Sequence, residues 1–344
     1  MQKAKRWVMR AKQDVILETY DFDETQLKPR EVAVRVDWTA VSPGTECANY
    51  LALDPDVWRA DSWCPYPWHA GYAGVGHVMA AGTEVTEYAV GDRVVGGMTH
   101  GTHWRGDVDQ LMIPAHPAVA PEHAAYTQII AICVTALQVL DKSVDAFETA
   151  GVWGQGTIGN LTAQVLQRAG YRVVGIDPLA QRRELAQQCG IREVLDPAAT
   201  DFAAQVAEIT HGDGFDVGVD TTGAAPVTIH IPQYLRLRGQ LVLMTHWRSQ
   251  PVIDASPFIH TVFWNGITVH GAHTRTPGRE PWGDWLALQR RKWTKIQHEL
   301  ATGGIAVEPL ISHRVRPDAC KDVYEGLCFN QAQWWGVAVD WSGS

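Results

Sequence analysis

The sequence lacks an apolar run long enough to cross a membrane, and no apolar segment follows its basic first residues. A membrane-spanning helix needs roughly 18 or more consecutive apolar residues. A secretory signal needs an apolar core behind its positive charges. The sequence therefore predicts neither a membrane partner nor an export signal.

Basic residues are also scarce. The 344 residues include 29 lysines and arginines against 38 aspartates and glutamates, for a net charge of −9. Proteins that bind nucleic acid need a basic stripe to neutralise phosphates, and these lysines and arginines form none. We therefore expect a small-molecule substrate and no nucleic-acid partner.

The six cysteines are scattered, and none belongs to a Cys-x-x-Cys pair. Redox motifs, zinc fingers and disulfide-rich secreted domains all depend on closely spaced cysteines. Scattered thiols are typical of a reducing compartment. We predict a cytoplasmic protein.

The chain changes its secondary-structure rhythm along its length. Residues 1–125 are predicted to form short, glycine-rich strands of a strongly bent barrel, with 31–38 showing the two-residue alternation of a half-buried strand. In 126–284, strands alternate with helices, which indicates parallel crossovers and a doubly wound α/β sheet. Residues 285–344 lose that rhythm, and their strand-like end is expected to return to the first domain.

A glycine-rich turn lies between a predicted strand and a predicted helix, in the order Gly154, Gln155, Gly156, Thr157, Ile158, Gly159. Such a turn lets the backbone approach a pyrophosphate, whose charge rests on amides at the helix N-terminus. Asp177 follows the next strand, where a carboxylate accepts ribose hydroxyls and repels a 2′-phosphate. Arg182 and Arg183 lie nearby in sequence. Because Pro178 rather than a basic residue follows the aspartate, we expect NAD rather than NADP.

These features together resemble the medium-chain dehydrogenase/reductase superfamily over essentially the whole chain. The resemblance is carried by the β-rich start, the GxGxxG unit and four further segments, 40–46, 90–94, 134–136 and 220–223. It implies a GroES-like β-barrel catalytic domain in 1–125 and 285–344, a Rossmann-fold NAD-binding domain in 126–284, and a homodimer or homotetramer. Within the superfamily, the chain most resembles the branch named after sorbitol dehydrogenase and hydroxyethyl-bacteriochlorophyllide dehydrogenase.

The resemblance also locates the positions at which zinc-containing members carry metal ligands. Here they hold Pro43, the triplet His-Ala-Gly at 69–71, and Ala131, whereas a catalytic zinc needs three protein ligands. The four cysteines of the family's structural zinc site are absent from 97–110 as well. Other candidates have no ligand-like spacing, namely Cys47, Cys64, His69, His100 and His103. We predict no metal.

Without a metal, hydrogen-bond donors or acid–base groups must polarise the substrate. The resemblance places Thr45 at the hydroxyl that begins the proton relay of alcohol dehydrogenases, although it could instead hold a tight turn. Glu46 matches an acid usually paired internally, which favours a structural role over a catalytic one. His246 lies where the chain passes the nicotinamide and can act as base or donor near neutrality, unless it is an ordinary loop histidine. His69 is a weaker catalytic candidate. The other cofactor contacts that we expect are Thr135, Arg182, Thr221, Thr222 and His246.

Tryptophan is unusually abundant, at 15 of 344 residues. In this architecture, seven are expected to border the substrate cleft: Trp63, Trp68, Trp104, Trp247, Trp264, Trp282 and Trp285. Indole faces stack on sugar rings, and the indole N–H can bond a hydroxyl. We therefore predict a sugar-like or ring-bearing alcohol, with core or subunit-interface packing as the alternative. Trp153 and Trp341, within strand patterns, are predicted to pack in the core.

The sequence thus predicts a zinc-independent, NAD-dependent oxidoreductase that moves a hydride between nicotinamide and a secondary alcohol or ketone. An NAD(P)H-dependent enone or quinone reductase is one alternative, although such relatives usually prefer NADPH, which Asp177 disfavours. A nucleotide-binding protein without catalysis is the other, because fold alone does not establish activity.

Overall fold

The computed structural model describes residues 1–141, 148–247, 252–274 and 282–344. The chain forms two compact units, Met1–Ala131 with Glu280–Ser344, and Ile132–Arg279. The sequence predicts the domain boundaries at 125 and 284, a few residues from those of the two units.

The first unit begins with antiparallel strands. In chain order they are β1 (Gln2–Ala11), β2 (Asp14–Phe22), β3 (Glu31–Ala40), β4 (Trp68–His69), β5 (Gly74–Ala81), β6 (Arg93–Gly96), β7 (His103–Asp107) and β8 (Met112–Pro114). Three helices accompany them, α1 (Pro43–Tyr50), α2 (Pro121–Ala124) and α3 (Thr127–Val139). Helix α3 runs across the boundary into the second unit.

The second unit is a parallel sheet with helices between its strands. Its strands are β9 (Thr149–Trp153), β10 (Arg172–Ile176), β11 (Glu193–Leu195), β12 (Phe215–Asp220), β13 (Leu235–Leu243) and β14 (Thr268–Gly271). Its helices are α4 (Thr157–Arg168), α5 (Ala180–Gln188), α6 (Phe202–Ile209), α7 (Ala225–His230) and α8 (Ser256–Asn265). The spatial order is β11-β10-β9-β12-β13-β14, and all neighbours are parallel. This is the predicted doubly wound sheet, and its order reverses between β9 and β12, where such sheets bind ligands.

The remaining elements belong to the first unit. They are α9 (Trp282–Ala301), β15 (His313–Val315), α10 (Cys320–Phe329) and β16 (Val337–Asp340). Strand β16 pairs antiparallel with β3, so the C-terminal strand joins the larger sheet of the first unit. The larger sheet has the order β15-β16-β3-β5-β6-β8, with β7 also on β3, and the smaller has the order β2-β1-β4.

Four short 3-10 helices complete the described elements, at Pro55–Trp58, Ile231–Tyr234, Glu308–Leu310 and Pro317–Ala319. Within the described ranges, no helix has the length and apolar character that a bilayer crossing requires.

The core of the first unit is rich in aromatic rings. Trp7 packs edge-on against Tyr324 and Trp341, with ring centroids 5.8 and 5.9 Å apart, and all three are buried. In the second unit, Trp153 is buried beside Phe215. Trp153 and Trp341 therefore have the packing roles that the sequence predicts.

Candidate functional site

The glycine-rich turn joins β9 to α4, and its glycines have different roles. Gly154 adopts a φ of 88°, which favours glycine. At Gly159, a Cβ would lie 1.8 Å from the carbonyl oxygen of Gly154. Gly156 caps α4, and no heavy atom lies within 4 Å of the place where its Cβ would stand. The outer glycines thus shape the turn, and the middle one leaves open space at a helix N-terminus. A dinucleotide pyrophosphate fits such a place.

Asp177 is buried beside this turn, immediately after β10. Its carboxylate accepts hydrogen bonds from the backbone N–H groups of Gln155, at 2.7 Å, and Leu179, at 2.9 Å. Because a carboxylate has about four acceptor sites, capacity remains for ribose hydroxyls. The two backbone bonds fix the position of the Asp177 carboxylate beside the turn.

The two arginines near Asp177 have separate surroundings. Arg183 donates a hydrogen bond to the carbonyl oxygen of Asp177, at 2.7 Å, and pairs with Asp196 at 3.2 Å. Arg182 is buried, and this burial lowers the pKa of its guanidinium. Arg183, which bonds to the backbone of Asp177, is therefore already paired with a second acid, Asp196.

Several predicted cofactor residues use their side chains to hold the turn itself. The Thr221 hydroxyl donates to the carbonyl oxygen of Trp153, at 2.8 Å, and the Thr222 hydroxyl donates to Asp220, at 2.7 Å. The Gln155 amide donates to the carbonyl oxygen of Val152, at 2.9 Å. These side-chain hydrogen bonds hold the local backbone in place. The other predicted members are buried or half-buried in helices of this unit, namely Thr135, Thr157 and Ile158.

His246 lies in the exposed segment after β13, with Nδ1 3.1 Å from the carbonyl oxygen of Trp247. The Trp247 indole N–H donates to the Thr228 hydroxyl, at 2.8 Å, within the second unit. Trp264 is 67% exposed on α8. Neither tryptophan is among the residues that line the pocket described next, so their place beside the substrate stays a prediction. The side chain of Trp282 lies outside the described residues.

A pocket of about 620 Å³ opens in the first unit. Its size falls within the roughly 300–1,000 Å³ typical of small-molecule sites. Five tryptophans form much of its wall, namely Trp63, Trp68, Trp104, Trp285 and Trp293. The other lining residues are His69, Gly71, Tyr72, Gly97, Thr99, Gln110, Leu111 and Gln128. Four of the tryptophans predicted for the substrate side therefore lie together.

Several of these indole rings have close neighbours in the first unit. Trp63 and Trp68 meet edge to face, with centroids 5.7 Å apart. The Trp104 ring covers Gly106, where a Cβ would lie 1.7 Å from it. Trp285 and Trp293 are eight residues apart on α9 and so share one helix face. Fixed aromatic walls present flat apolar surfaces to a ligand ring.

His69 is the pocket residue that titrates nearest neutrality. Its side chain is partly exposed, on β4. Partial burial, and then the positive charge of Arg6, lower the pKa of His69. The imidazole is therefore uncharged at neutral pH and can accept a proton. Thr45 is half-buried on α1 and is not among the lining residues.

Glu46 is fully buried and belongs to a hydrogen-bond network in the core of the first unit. It accepts from the Ser42 backbone N–H, at 2.7 Å, and from the Tyr324 hydroxyl, at 2.6 Å. It also pairs with His100 Nε2, at 2.9 Å. These three bonds hold the Glu46 carboxylate inside the core of the first unit.

The positions used by zinc in the family are filled differently here. Pro43 is the first residue of α1, a position that suits proline because its missing N–H needs no partner there. At Gly71, a Cβ would lie 2.7 Å from Cγ of His100, so an imidazole occupies that space. Across the described part of the chain, no group of three or more His, Cys, Asp or Glu could hold a metal. These residues do not fit a zinc ion.

Some pocket residues lack any motif that could have identified them, because folding brings them together from separate segments. Gln110, Leu111 and Gln128 are of this kind. Trp293 was identifiable, since its spacing from Trp285 places both on one face of a helix. The space that His100 fills beside Gly71 follows only from the fold.

The chain is similar to known proteins in both sequence and structure. Residues 157–288 match the family model described as zinc-binding dehydrogenase, and residues 28–116 match the alcohol dehydrogenase GroES-like domain. L-threonine 3-dehydrogenase of Rhizobium etli (strain CIAT 652) is 24% identical, covering 99% of this chain and 100% of that protein. D-guloside 3-dehydrogenase of Escherichia coli (strain K12) is 29% identical over 60% of this chain and 63% of its own length.

Among solved structures, a putative zinc-binding dehydrogenase from Sinorhizobium meliloti 1021, bound to NADP, is similar, with a TM-score of 0.79 and 19% identity. The match covers 99% of this chain and 100% of the other. At this level of identity, the likeness shows a common fold.

Proposed function

The chain belongs to the medium-chain dehydrogenase/reductase superfamily, and on this premise we propose that it is a zinc-independent, NAD-dependent oxidoreductase of secondary alcohols or ketones. The observation that carries the proposal is the tryptophan-walled pocket with its uncharged histidine. The glycine-rich turn of the second unit supplies the complementary nucleotide site. Relatives named for threonine and guloside oxidation support a dehydrogenase of alcohol-type substrates.

The proposed cofactor is NAD. Asp177 is held by two backbone N–H groups, and a 2′-phosphate beside it would place two negative charges together. The similar structure that binds NADP shares 19% of its residues with this chain, so its cofactor does not transfer directly. Arg182, Thr221, Thr222 and Thr135 are proposed to shape the surrounding site.

The cofactor, when bound, exchanges a hydride with the carbinol carbon. The protein must then take up the hydroxyl proton, and His69 is the proposed acceptor because it lines the pocket as a free base. Thr45 and His246 are the alternative proton carriers that the family resemblance implies. The hydrogen bonds around Glu46 argue for a positioning role, in which it fixes α1 and thus Thr45.

Zinc independence is proposed because, among the residues that the structure describes, no group of three or more His, Cys, Asp or Glu could hold the metal. Pro43, Ala70 and Ala131 have no side-chain ligands, and the His100 ring fills the space beside Gly71. His100 itself bonds to Glu46 and to the Thr39 hydroxyl, at 2.9 and 2.7 Å, so both of its ring nitrogens are engaged.

The proposed substrate is sugar-like or otherwise ring-bearing. Indole faces suit the apolar face of a pyranose ring, and their N–H groups suit its hydroxyls. The relative named for guloside oxidation points in the same direction. A short aliphatic alcohol would leave most of a pocket of about 620 Å³ unfilled.

A homodimer or homotetramer working in the cytoplasm is part of the proposal. Strand β14 is an edge of the sheet, and the adjoining α8 exposes three large apolar side chains, Ile259, Phe263 and Trp264. Unpaired edges and apolar faces of this kind favour association with a second copy. All six cysteines lie in the described ranges and none is joined in a disulfide, which suits a reducing compartment.

The test is a screen for reduction of NAD⁺ and NADP⁺ over polyols, free sugars, glycosides and simple alcohols. We expect a ring-bearing alcohol to be the best substrate and NAD⁺ the preferred oxidant. Preference for short alcohols would reject the substrate class, and preference for NADP⁺ would reject the cofactor. Absence of turnover, with NADH still bound, would favour a non-catalytic nucleotide-binding protein.

A further inference from the structure

We propose that the pocket of the first unit selects its substrate by charge, and that the ring that enters it is electrically neutral and bears hydroxyl groups, as in an unphosphorylated glycoside. Uronates, sugar phosphates and amino acids are disfavoured. This inference rests on the proposed function, because that function assigns the substrate to this pocket.

The pocket wall, as far as described residues line it, contains no lysine, arginine, aspartate or glutamate. Moving an ionised group out of water is costly unless the site supplies an opposite charge or several hydrogen bonds. Carboxylates and phosphates are commonly bound by a planar arginine fork. Aromatic faces and neutral amides cannot replace such a cation, so a ligand with a carboxylate or phosphate group is disfavoured here.

His69 does not supply the missing charge. Its imidazole is uncharged at neutral pH, because partial burial and Arg6 lower its pKa. Arg6 is itself engaged, with its Nε 2.7 Å from Glu18 and its guanidinium over the Tyr20 ring at 4.3 Å. The positive charge that acts on His69 is thus balanced by an adjacent carboxylate.

Trp293 indicates what the pocket binds instead. The side chain is 1% exposed, and its Nε1 has no hydrogen-bond partner within the described part of the chain. An indole N–H can only donate, and a buried donor without an acceptor is unfavourable. A hydroxyl or ring oxygen of the ligand would complete this bond. The fixed rings of Trp63 and Trp68 provide apolar faces for the same ligand.

Two glutamines in the pocket wall can form hydrogen bonds with a neutral ligand. Gln110 and Gln128 carry amide groups, which both donate and accept hydrogen bonds. Hydroxyl groups likewise donate and accept, so amides match them without any formal charge. A hydroxyl-bearing neutral ring therefore fits the apolar walls, the indole donor and the amides together.

The experiment measures binding by calorimetry, so that it does not depend on turnover. The probes are methyl pyranosides of glucose, galactose and gulose, each with its 6-carboxylate and 6-phosphate counterparts, and L-threonine. We expect at least one neutral glycoside to bind ten-fold or more tightly than both of its charged counterparts and than threonine. Equal or tighter binding of a charged counterpart overturns the inference, and so does failure of every neutral glycoside to bind.

Variants test the residues behind the selection. Trp293→Phe keeps an aromatic ring but removes the donor, so affinity for the best glycoside should fall several-fold while NADH affinity stays unchanged. Trp335→Phe, outside the pocket, is the matched control and should leave both unchanged. Leu111→Arg adds a cation to the wall and should improve binding of the carboxylate at least several-fold. Unchanged affinities in Trp293→Phe and Leu111→Arg would contradict the inference.

The proposed oxidation of the substrate and the proposed selection by charge can be disproved separately. Charge selection in the binding data without turnover of any bound glycoside would remove the proposed oxidation but keep the selection by charge. Turnover of sugar phosphates in preference to neutral glycosides would keep the oxidoreductase and remove the charge selection.

Discussion

The glycine-rich turn of the second unit and the tryptophan-walled pocket of the first unit are built on opposite principles. The turn relies on backbone geometry and on one buried charge, Asp177, held by two N–H groups. The pocket relies on indole faces and has no charged lining residue in the described chain. Every dinucleotide cofactor carries the same pyrophosphate group, so backbone N–H groups are enough to bind it. The proposed substrate, in contrast, would be recognised by the side chains that line the pocket.

This contrast implies different sensitivities to mutation. A Cβ added to a closely packed turn meets backbone, which cannot rotate away. Removing an aromatic ring from a partly open pocket reduces the contact area with the ligand, and it disturbs the rest of the fold less than a steric clash does. We therefore expect the largest effects in the turn and graded effects in the pocket.

The largest effect is expected for Gly159→Ala. Its Cβ would lie 1.8 Å from the Gly154 carbonyl oxygen, so the turn must shift. We expect NADH binding to become undetectable and the free energy of unfolding to fall by about 1–3 kcal/mol. Gly156→Ala is the matched control, because nothing lies within 4 Å of its Cβ. The Gly156→Ala variant should keep the wild-type melting temperature but bind NADH more weakly. If it binds NADH with wild-type affinity, the pyrophosphate does not bind at Gly156.

Asp177→Ala should have the next largest effect. A lost charge-assisted contact to the ribose is worth about 1.5–3 kcal/mol, and discrimination against NADPH should relax. Fluorescence titrations with NADH and NADPH measure both changes. Tighter NADPH binding by the unmutated protein would contradict the assignment of NAD.

Single Trp→Ala changes at Trp63, Trp68 and Trp104 should weaken substrate binding by about 1–3 kcal/mol each. The Michaelis constant should rise accordingly, with NADH affinity nearly unchanged. Trp264→Ala, at an exposed position of the second unit, is the control and should leave the Michaelis constant as it is. If the three pocket variants lose stability but keep substrate affinity, these rings are structural.

The smallest effect, none at all, is expected from metal removal. Dialysis against a strong chelator should leave activity unchanged, and metal analysis should find no stoichiometric zinc, because the ligand positions lack donors. Loss of activity that zinc restores would show that a different set of ligands exists.

The sequence predicts the turn far better than the pocket, for a physical reason. The glycines 154, 156 and 159 and Asp177 are fixed by backbone requirements at constant spacing, so their pattern is visible in the chain. Periodicity likewise predicts the alternating strands and helices of the second unit. The pocket is assembled from segments that are far apart in the chain and have no common spacing. The large number of tryptophans in the sequence therefore suggested an aromatic site, but not which of these side chains line the pocket together. The hydrogen bond from the Trp247 indole to the Thr228 hydroxyl is a contact that no pattern in the sequence indicates.

Buried polar networks are equally hard to predict from sequence. The resemblance suggested internal pairing for Glu46, but its partners His100 and Tyr324 lie 54 and 278 residues away in the chain. Only the fold brings them together. The same holds for the imidazole that occupies the space beside Gly71.

The central claim, direct hydride transfer from a ring-bearing alcohol to NAD⁺, is tested most directly with isotope. Methyl glycosides deuterated at their secondary carbinol carbons would be incubated with the protein, NAD⁺ and a chelator, and the reduced cofactor examined by mass spectrometry. The account predicts one deuterium per NADH formed, from one specific carbon of the ring. Reduced cofactor without deuterium, or no reduction by any glycoside while short alcohols react, would contradict it.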